Sequence, residues 1–423
     1  MTEYLVLTIL AVRLVAGAPS PIPILPQDDG TSVGERLMSD PAIRGAVARL
    51  EGDEAFVIDE QMRLCDIPAP AFGEGPRAAA YKQAFESLGL THVRIDSAGN
   101  VLGERPGLSP RPHVVFSAHL DTVFPKETRV TPSRSGAVLS GPGIADDCRG
   151  LAVLLGVIRG MQAANLQTAG SLTFVATVGE EGLGDLRGVT HLFDTATTAG
   201  VDGFVSIDGA GLGVTASAVG SLRYRVTYAG RGGHSYGDFG VANPVHAIGR
   251  AVARIADLQV PREPRTTFNV GRVGGGTSVN SIASSAWMEV DLRSADAAAL
   301  RALDAAFQAA LDAALAEENE RWDNRGRLTM DKALVGRRPG GQNAAHSPIV
   351  SAALSVTRAL GQRARLDEGS TDANLPLSLG VPAITIGGGG SAAGTHTTGE
   401  TFDTTGSWQG TARALLLAMA LAR

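Results

Sequence analysis

Hydrophobic positions along this chain fall into two textures. Short apolar runs rich in Val, Ile, Phe and Thr recur at His113–Ala118, Leu172–Val178, Phe204–Ile207 and Ala383–Ile386. Each reads as a strand buried on both faces. Between them lie segments with helical periodicity: Ala42–Leu64, stopped by Pro68 and Pro70, then about Pro76–Leu88, Arg149–Met161, Ile349–Leu360 and Gly406–Leu421. His92–Ile95 and Val101–Gly103 add two shorter strands. Strand alternating with helix predicts an α/β fold, a mostly parallel sheet flanked by helices.

The texture changes between about Val219 and Lys332. Leu222–Tyr228 alternates as a half-buried strand, and Asn243–Leu258 is helical with Pro244 in its first turn. Phe268–Val273 and Ala286–Leu292 read as strands. Ala295–Glu318 is an alanine-rich helix with Leu300, Leu303, Phe307, Leu311 and Leu315 on one side, and Arg327–Met330 closes the series as a short strand. The order β-α-β-β-α-β is that of a ferredoxin-like α+β unit. The expected organisation is a leader and linker over 1–40, an α/β domain from 41–218 with 333–423, and an inserted domain at 219–332.

Length agrees with that division, since 423 residues exceed one ordinary core. Apolar content of 44% against 19% charged marks a globular chain, and the balance of 37 − 43 = −6 gives no reason to expect a nucleic-acid partner. Cys65 and Cys148 are the only cysteines, which excludes a disulfide framework and any CxxC metal knuckle. At the N-terminus, Leu5–Ala18 is apolar and Ala16-Gly17-Ala18 before Pro19 has the form of a cleavage site. Against that, Met1-Thr2-Glu3-Tyr4 carries no Lys or Arg, Arg13 interrupts the run, and the stretch is short for a membrane span. Two readings stay open: a signal peptide over 1–18 on a periplasmic or secreted protein, or an inconsequential leader on a cytoplasmic one.

The candidate chemistry lies just past the buried strands. His113–Ala118 runs into His119-Leu120-Asp121-Thr122, Leu172–Val178 into Glu180-Glu181, Phe204–Ile207 into Asp208, and Ala383–Ile386 through four glycines to His396. Ligands bind beyond the carboxyl ends of strands in open α/β sheets, so these side chains should gather in one crevice. A fifth segment, Gly143-Ile144-Ala145-Asp146-Asp147, opens a helix. Taken singly, each has a duller reading: an N-cap, a solvated turn, a loop histidine. Jointly they form a ligand set of two His and three carboxylates, which suits zinc, with manganese or cobalt also possible. Three carboxylates exceed what one divalent ion collects, so two ions are expected. Adjacent carboxylates at a strand exit allow one to hold metal while the other handles a proton. Asp121, two residues from His119, is placed to accept the second imidazole N–H.

With these motifs in view, the sequence resembles the M20 family of dinuclear zinc peptidases, which includes peptidase T, carboxypeptidase G and acyl-amino-acid deacylases. The matching stretches are His119–Thr122, Gly143–Asp147, Gly179–Gly182, Asp208, Gly232-Gly233-His234-Ser235, Asp291-Leu292-Arg293, Ser370–Asn374 and Gly394–Thr397, in the family's order. Gly369–Pro376 looks closest to the peptidase T branch. The resemblance implies that His119 and Asp208 bind one zinc, Glu181 and His396 the other, with Asp146 bridging and a cis Asp146–Asp147 bond. Glu180 would be the general base. The insertion would be a dimerisation lid, its His234 reaching a partner subunit's site, with Asn280 and Arg293 contacting substrate. For His234 the alternative is a surface histidine, and for Arg293 an interdomain ion pair. Where the family usually has Lys or another polar residue after the Asp pair, this chain has Cys148: either a packing residue or a thiol near metal. The implied activity is hydrolysis of short peptides at one end, as a tripeptide aminopeptidase does. Alternatives are an N-acyl-amino-acid deacylase or carboxypeptidase, or a non-catalytic dimeric metal-binding module.

Overall fold

The computed structural model describes residues 32–194, 200–344 and 346–423. The expected signal peptide over 1–18, and its cleavage point at Pro19, lie outside the described residues. Within the expected linker, Val33–Ser39 is a helix. Ser32 and Glu35 cap it reciprocally, each side chain accepting the other's backbone N–H. The helical pattern Ala42–Leu64 proves to be two helices, Pro41–Gly52 and Glu54–Cys65, broken at Asp53. Gly52 and Asp53 are poor helix formers, and the pair gives the chain its corner.

A nine-stranded sheet positions everything else. Its centre is four parallel strands side by side: Ser171–Thr177, His113–His119, Gly203–Ile207 and Ala383–Ile386. They are buried along nearly their whole length. Side chains alternate between two cores. Val114, Phe116 and Ala118 face the core shared with the helices Cys148–Ala163, Pro348–Ala359 and Trp408–Leu421. Val115, Phe204 and Ala383 face a second core under Arg187–Asp194 and Asn374–Ser378. Antiparallel strands flank the centre: Thr91–Ile95 and Val101–Arg105 on one side, Val214–Ala218 on the other. The sheet is thus the expected mixed α/β architecture.

The inserted sheet is antiparallel, ordered Thr266–Gly275, Ser285–Ser294, Gly220–Ala229, Thr329–Arg338. Helices Pro244–Ala256 and Ala297–Arg321 share its core. Burial alternates along Ser285–Ser294, as one covered face requires. Its last strand runs well beyond Met330 and past Lys332, pairing out to Arg338 opposite Ser221. A bulge between Leu334 and Gly336 breaks the alternation there, which hides the strand from a periodicity reading. A third sheet of three-residue strands joins Ser391–Ala393, Thr401–Asp403, Val138–Ser140 and Ser133–Ser135. No described helix is long and apolar enough to cross a membrane.

Candidate metal centre

The four parallel strands end along one edge, so the chain leaving each brings its polar residues to one place. His119 closes its strand opposite Thr177. Beyond Thr177 the chain turns at Gly179, with φ +67°, and presents Glu180 and Glu181. Asp208 follows Ile207, its N–H on the Ile386 carbonyl at 3.1 Å. His396 rides the hairpin between Ser391–Ala393 and Thr401–Asp403. Thr401–Asp403 pairs in turn with Val138–Ser140, from which the chain runs on to Asp146. The small third sheet therefore ties the His396 hairpin to the Asp146 loop.

The five expected ligands converge. Ligand atoms of His119, Asp146 and Glu181 lie within 4.8 Å of one another. Asp146 spans two imidazoles, Oδ1 at 2.9 Å from His119 Nε2 and Oδ2 at 3.1 Å from His396 Nε2. His396 Nε2 is also 3.0 Å from Glu181 Oε1, and Asp208 Oδ1 is 4.0 Å from His119 Nε2. The Asp146–Asp147 peptide bond is cis.

Neighbours hold these groups in place. Asp147 turns away from the pocket and caps the helix Cys148–Ala163, accepting Gly150 N–H at 3.0 Å and His119 N–H at 3.0 Å. Gly150 must be glycine, since a Cβ there would meet Asp147 Oδ1 and the Ile207 carbonyl at 2.4 Å. Asp121 departs from expectation. The Nδ1 of His119 meets the Asp121 backbone carbonyl at 3.0 Å, while the Asp121 carboxylate is 3.7 Å away. That carboxylate accepts the N–H groups of Glu180 at 3.0 Å and Glu181 at 2.8 Å instead. Two amides freed by the neighbouring strand's end outcompete one imidazole edge.

Two further residues escaped the sequence reading. Glu400, fully buried, accepts N–H groups from Gly143 (2.9 Å), Ala145 (2.8 Å) and Asp146 (3.1 Å). A carboxylate four positions after His396, among Gly and Thr, was the available signal. Arg338, also buried, donates Nη1 to Glu180 Oε1 at 2.8 Å and to Ser370 Oγ at 3.2 Å, and Nη2 to the Glu180 carbonyl. Nothing in Arg337-Arg338-Pro339 marked it. Cys148 packs with Cys65, Ile58, Leu139, Ile144, Ala145 and Phe402, as a packing residue should.

Charge in the pocket is unbalanced. Burial, followed by the charge of Asp146, pushes Asp208 up to about 7. Burial also drives Glu180 well above the usual carboxylate range, against the pull of Arg338. Burial would raise Asp146 too, but hydrogen bonds from His119 and His396 hold it low. Hydrogen bonds to Asp146 and Glu181 raise His396 to about 10. Divalent cations bound here would neutralise the clustered carboxylates. Imidazole nitrogens and carboxylate oxygens, with no thiolate among them, fit zinc-type ions.

The other expected site residues lie apart. His234 is exposed, its Nδ1 accepting the N–H groups of Tyr236 and Gly237 at 3.2 Å. Asn280 is its neighbour, the Asn280 carbonyl taking Ser235 N–H at 3.0 Å. Among the described residues neither bonds to the five ligands. Arg293 donates to Asp291 at 2.6 Å on its own strand. It also lines a cavity of about 230 Å³ with Arg265, Thr267, Glu368 and Ser370.

The chain is similar to known proteins in sequence and in fold. The model of peptidase family M20/M25/M40 matches residues 115–420. The YqjE protein of Bacillus subtilis is 25% identical over 349 residues, covering 79% of this chain and 90% of its own. Succinyl-diaminopimelate desuccinylase of Corynebacterium glutamicum is 25% identical over 340 residues, 77% of this chain and 86% of that one. In fold, the chain is similar to aminopeptidase PepT from Bacillus cereus, at TM-score 0.68 and 21% identity, over 87% of this chain and 99% of the other.

Proposed function

The chain belongs to peptidase family M20/M25/M40 and is a hydrolytic, metal-binding enzyme; from that premise we propose that it removes end residues from short peptides. His119 with Asp208 would hold one divalent ion and Glu181 with His396 another, Asp146 bridging, with zinc the foremost candidate. The observation that carries this reading is the placement of Asp146 between two imidazoles beside Glu181, while the adjacent Glu180 is spent on Arg338 rather than on any ligand. When bound, such ions supply Lewis acidity and make a water acidic enough to deprotonate near neutral pH.

The chain's own groups do the rest. Glu180 takes the proton of the attacking water and returns it to the leaving amine. Its burial raises its proton affinity toward the range such an exchange needs. Arg293 pairs with a substrate carboxylate, and Asn280 also contacts substrate. His234, exposed in the short strand Gly233–His234, donates to the carbonyl oxygen in the site of a second copy of the chain, which makes the working form a homodimer. A non-catalytic binding module is set aside by the family membership.

A second reading, an N-acyl-amino-acid deacylase or carboxypeptidase, has its own support. One relative is a desuccinylase, and Arg265 beside Arg293 gives that cavity a second guanidinium for an acidic group. A panel of di- and tripeptides blocked at either end, run beside N-succinyl and N-acetyl amino acids, separates the two. Glu180→Gln should abolish turnover of whichever substrate is cleaved while metal content stays near two ions per chain. Loss of both ions, or parental kcat, would sink the role given to Glu180.

A further inference from the structure

Glu180 leaves the large sheet, but what grips it comes from the inserted one. Arg338 is the last residue of Thr329–Arg338 and pairs across to Ser221. It and Glu180 are each 4% exposed. Nη1 holds Glu180 Oε1 at 2.8 Å, and Nη2 takes the carbonyl of the same residue, so one planar fork grips both ends of Glu180. Ser370 Oγ accepts from Nη1 at 3.2 Å and steadies the guanidinium.

Two more contacts fall on the same turn. Arg337 N–H donates to Asp185 Oδ2 at 2.8 Å, and Arg223 Nη1 to the Gly182 carbonyl at 2.6 Å. Adjacent strands Gly220–Ala229 and Thr329–Arg338 thus seize the segment from Glu180 to Asp185 at three points. A buried ion pair is a poor source of stability, because desolvating both charges offsets their attraction. One beside a reactive carboxylate is better accounted for by placement.

We infer that Arg338 is a positioning residue: from the end of the inserted sheet it sets the rotamer of the Glu180 carboxylate, occupying Oε1 and leaving Oε2 for the water proton. This rests on the reading of Glu180 as the base. It also makes the base's position depend on where the inserted unit sits.

The test uses the full-length, metal-loaded protein as Arg338→Met, Arg338→Lys, Glu180→Gln and the Met/Gln double variant. Arg338→Met should lower kcat by roughly tenfold to a hundredfold with KM little changed, as expected when a reacting group is misplaced. Metal content should match the parent, and Arg338→Lys should recover part of the loss. Melting gives a readout free of activity. Arg338→Met should lower the melting temperature more in the parent than in the Glu180→Gln background, where no unpaired charge is left buried. Arg338→Gln takes the place of Arg338→Met, with the same expectations, if the methionine variant does not fold. Parental kcat in Arg338→Met, a raised KM at parental kcat, or equal melting shifts in both backgrounds would overturn the positioning role. Parental kcat in Glu180→Gln would instead overturn the base assignment on which this inference rests.

Discussion

At the scale of single residues, the pocket is shaped by side chains that never touch its centre. Glu400 spends both carboxylate oxygens on three amides of the loop that presents Asp146. An amide in its place has one accepting oxygen, and its NH₂ would face a backbone donor. Glu400→Gln should therefore weaken metal binding by about tenfold to a hundredfold, the usual effect of losing a residue that orients a ligand. Competition with a chromogenic chelator measures it, and parental affinity would show that the loop holds itself. Legibility at this scale follows from chemistry. His119, Asp208 and Glu181 stood out because ionisable residues follow at or just past the ends of apolar runs, and His396 because a glycine run leads from such a strand toward it. Glu400 and Arg338 did not, since a side chain bonded to distant backbone is specified by three-dimensional proximity, which no local spacing encodes. Asp121 was placed near the right partner but on the wrong atoms, because two residues of spacing say nothing about which way a turn swings a carboxylate.

Among elements, the long buried strands were readable to within a residue or so, since burial on both faces demands uninterrupted apolar sequence. The three-residue strands of the third sheet were not, because so short a segment carries no period. They matter nonetheless, being the link between the His396 hairpin and the Asp146 loop. The loop bearing His234 raises a different question. Gly233 and His234 pair with Ile282 and Ser281, a small half-buried ribbon on which His234 itself is exposed. If that ribbon serves a neighbouring copy, His234→Ala and Glu180→Ala homodimers should each be nearly inactive, the first by roughly 10²–10³ in kcat. Refolded together, they should regain activity, since one of the two sites then has both groups. Verified heterodimers without recovery would place His234 in its own chain's site or outside catalysis.

For the molecule as a whole, the centre and the core support each other. Arg149 and Arg413, both fully buried, donate to carbonyls of Gly388 and Gly387 in the glycine run that leads to the His396 hairpin. An ion that binds only the folded arrangement of these loops adds its binding free energy to stability. Chelation should accordingly abolish turnover and lower the melting temperature by a few degrees, and restoring zinc should return both. An unchanged melting temperature on full removal of metal would mean the centre is rigid without it. The two-textured pattern of the chain foreshadowed this layout, although the inserted strand reaching Arg338 overran the point where the large domain was expected to resume. Finally, Asp146 and His396 meet across 250 positions of sequence. Chains are synthesised and begin folding from the N-terminal side, so nearly all of this one must leave the ribosome before its centre can close. Ala383–Ile386 must also have slotted between Gly203–Ile207 and Val214–Ala218. If His396 is the ligand proposed above, a fragment cut before that strand should show no turnover, and the hydrolase should act only once its last parallel strand is in place.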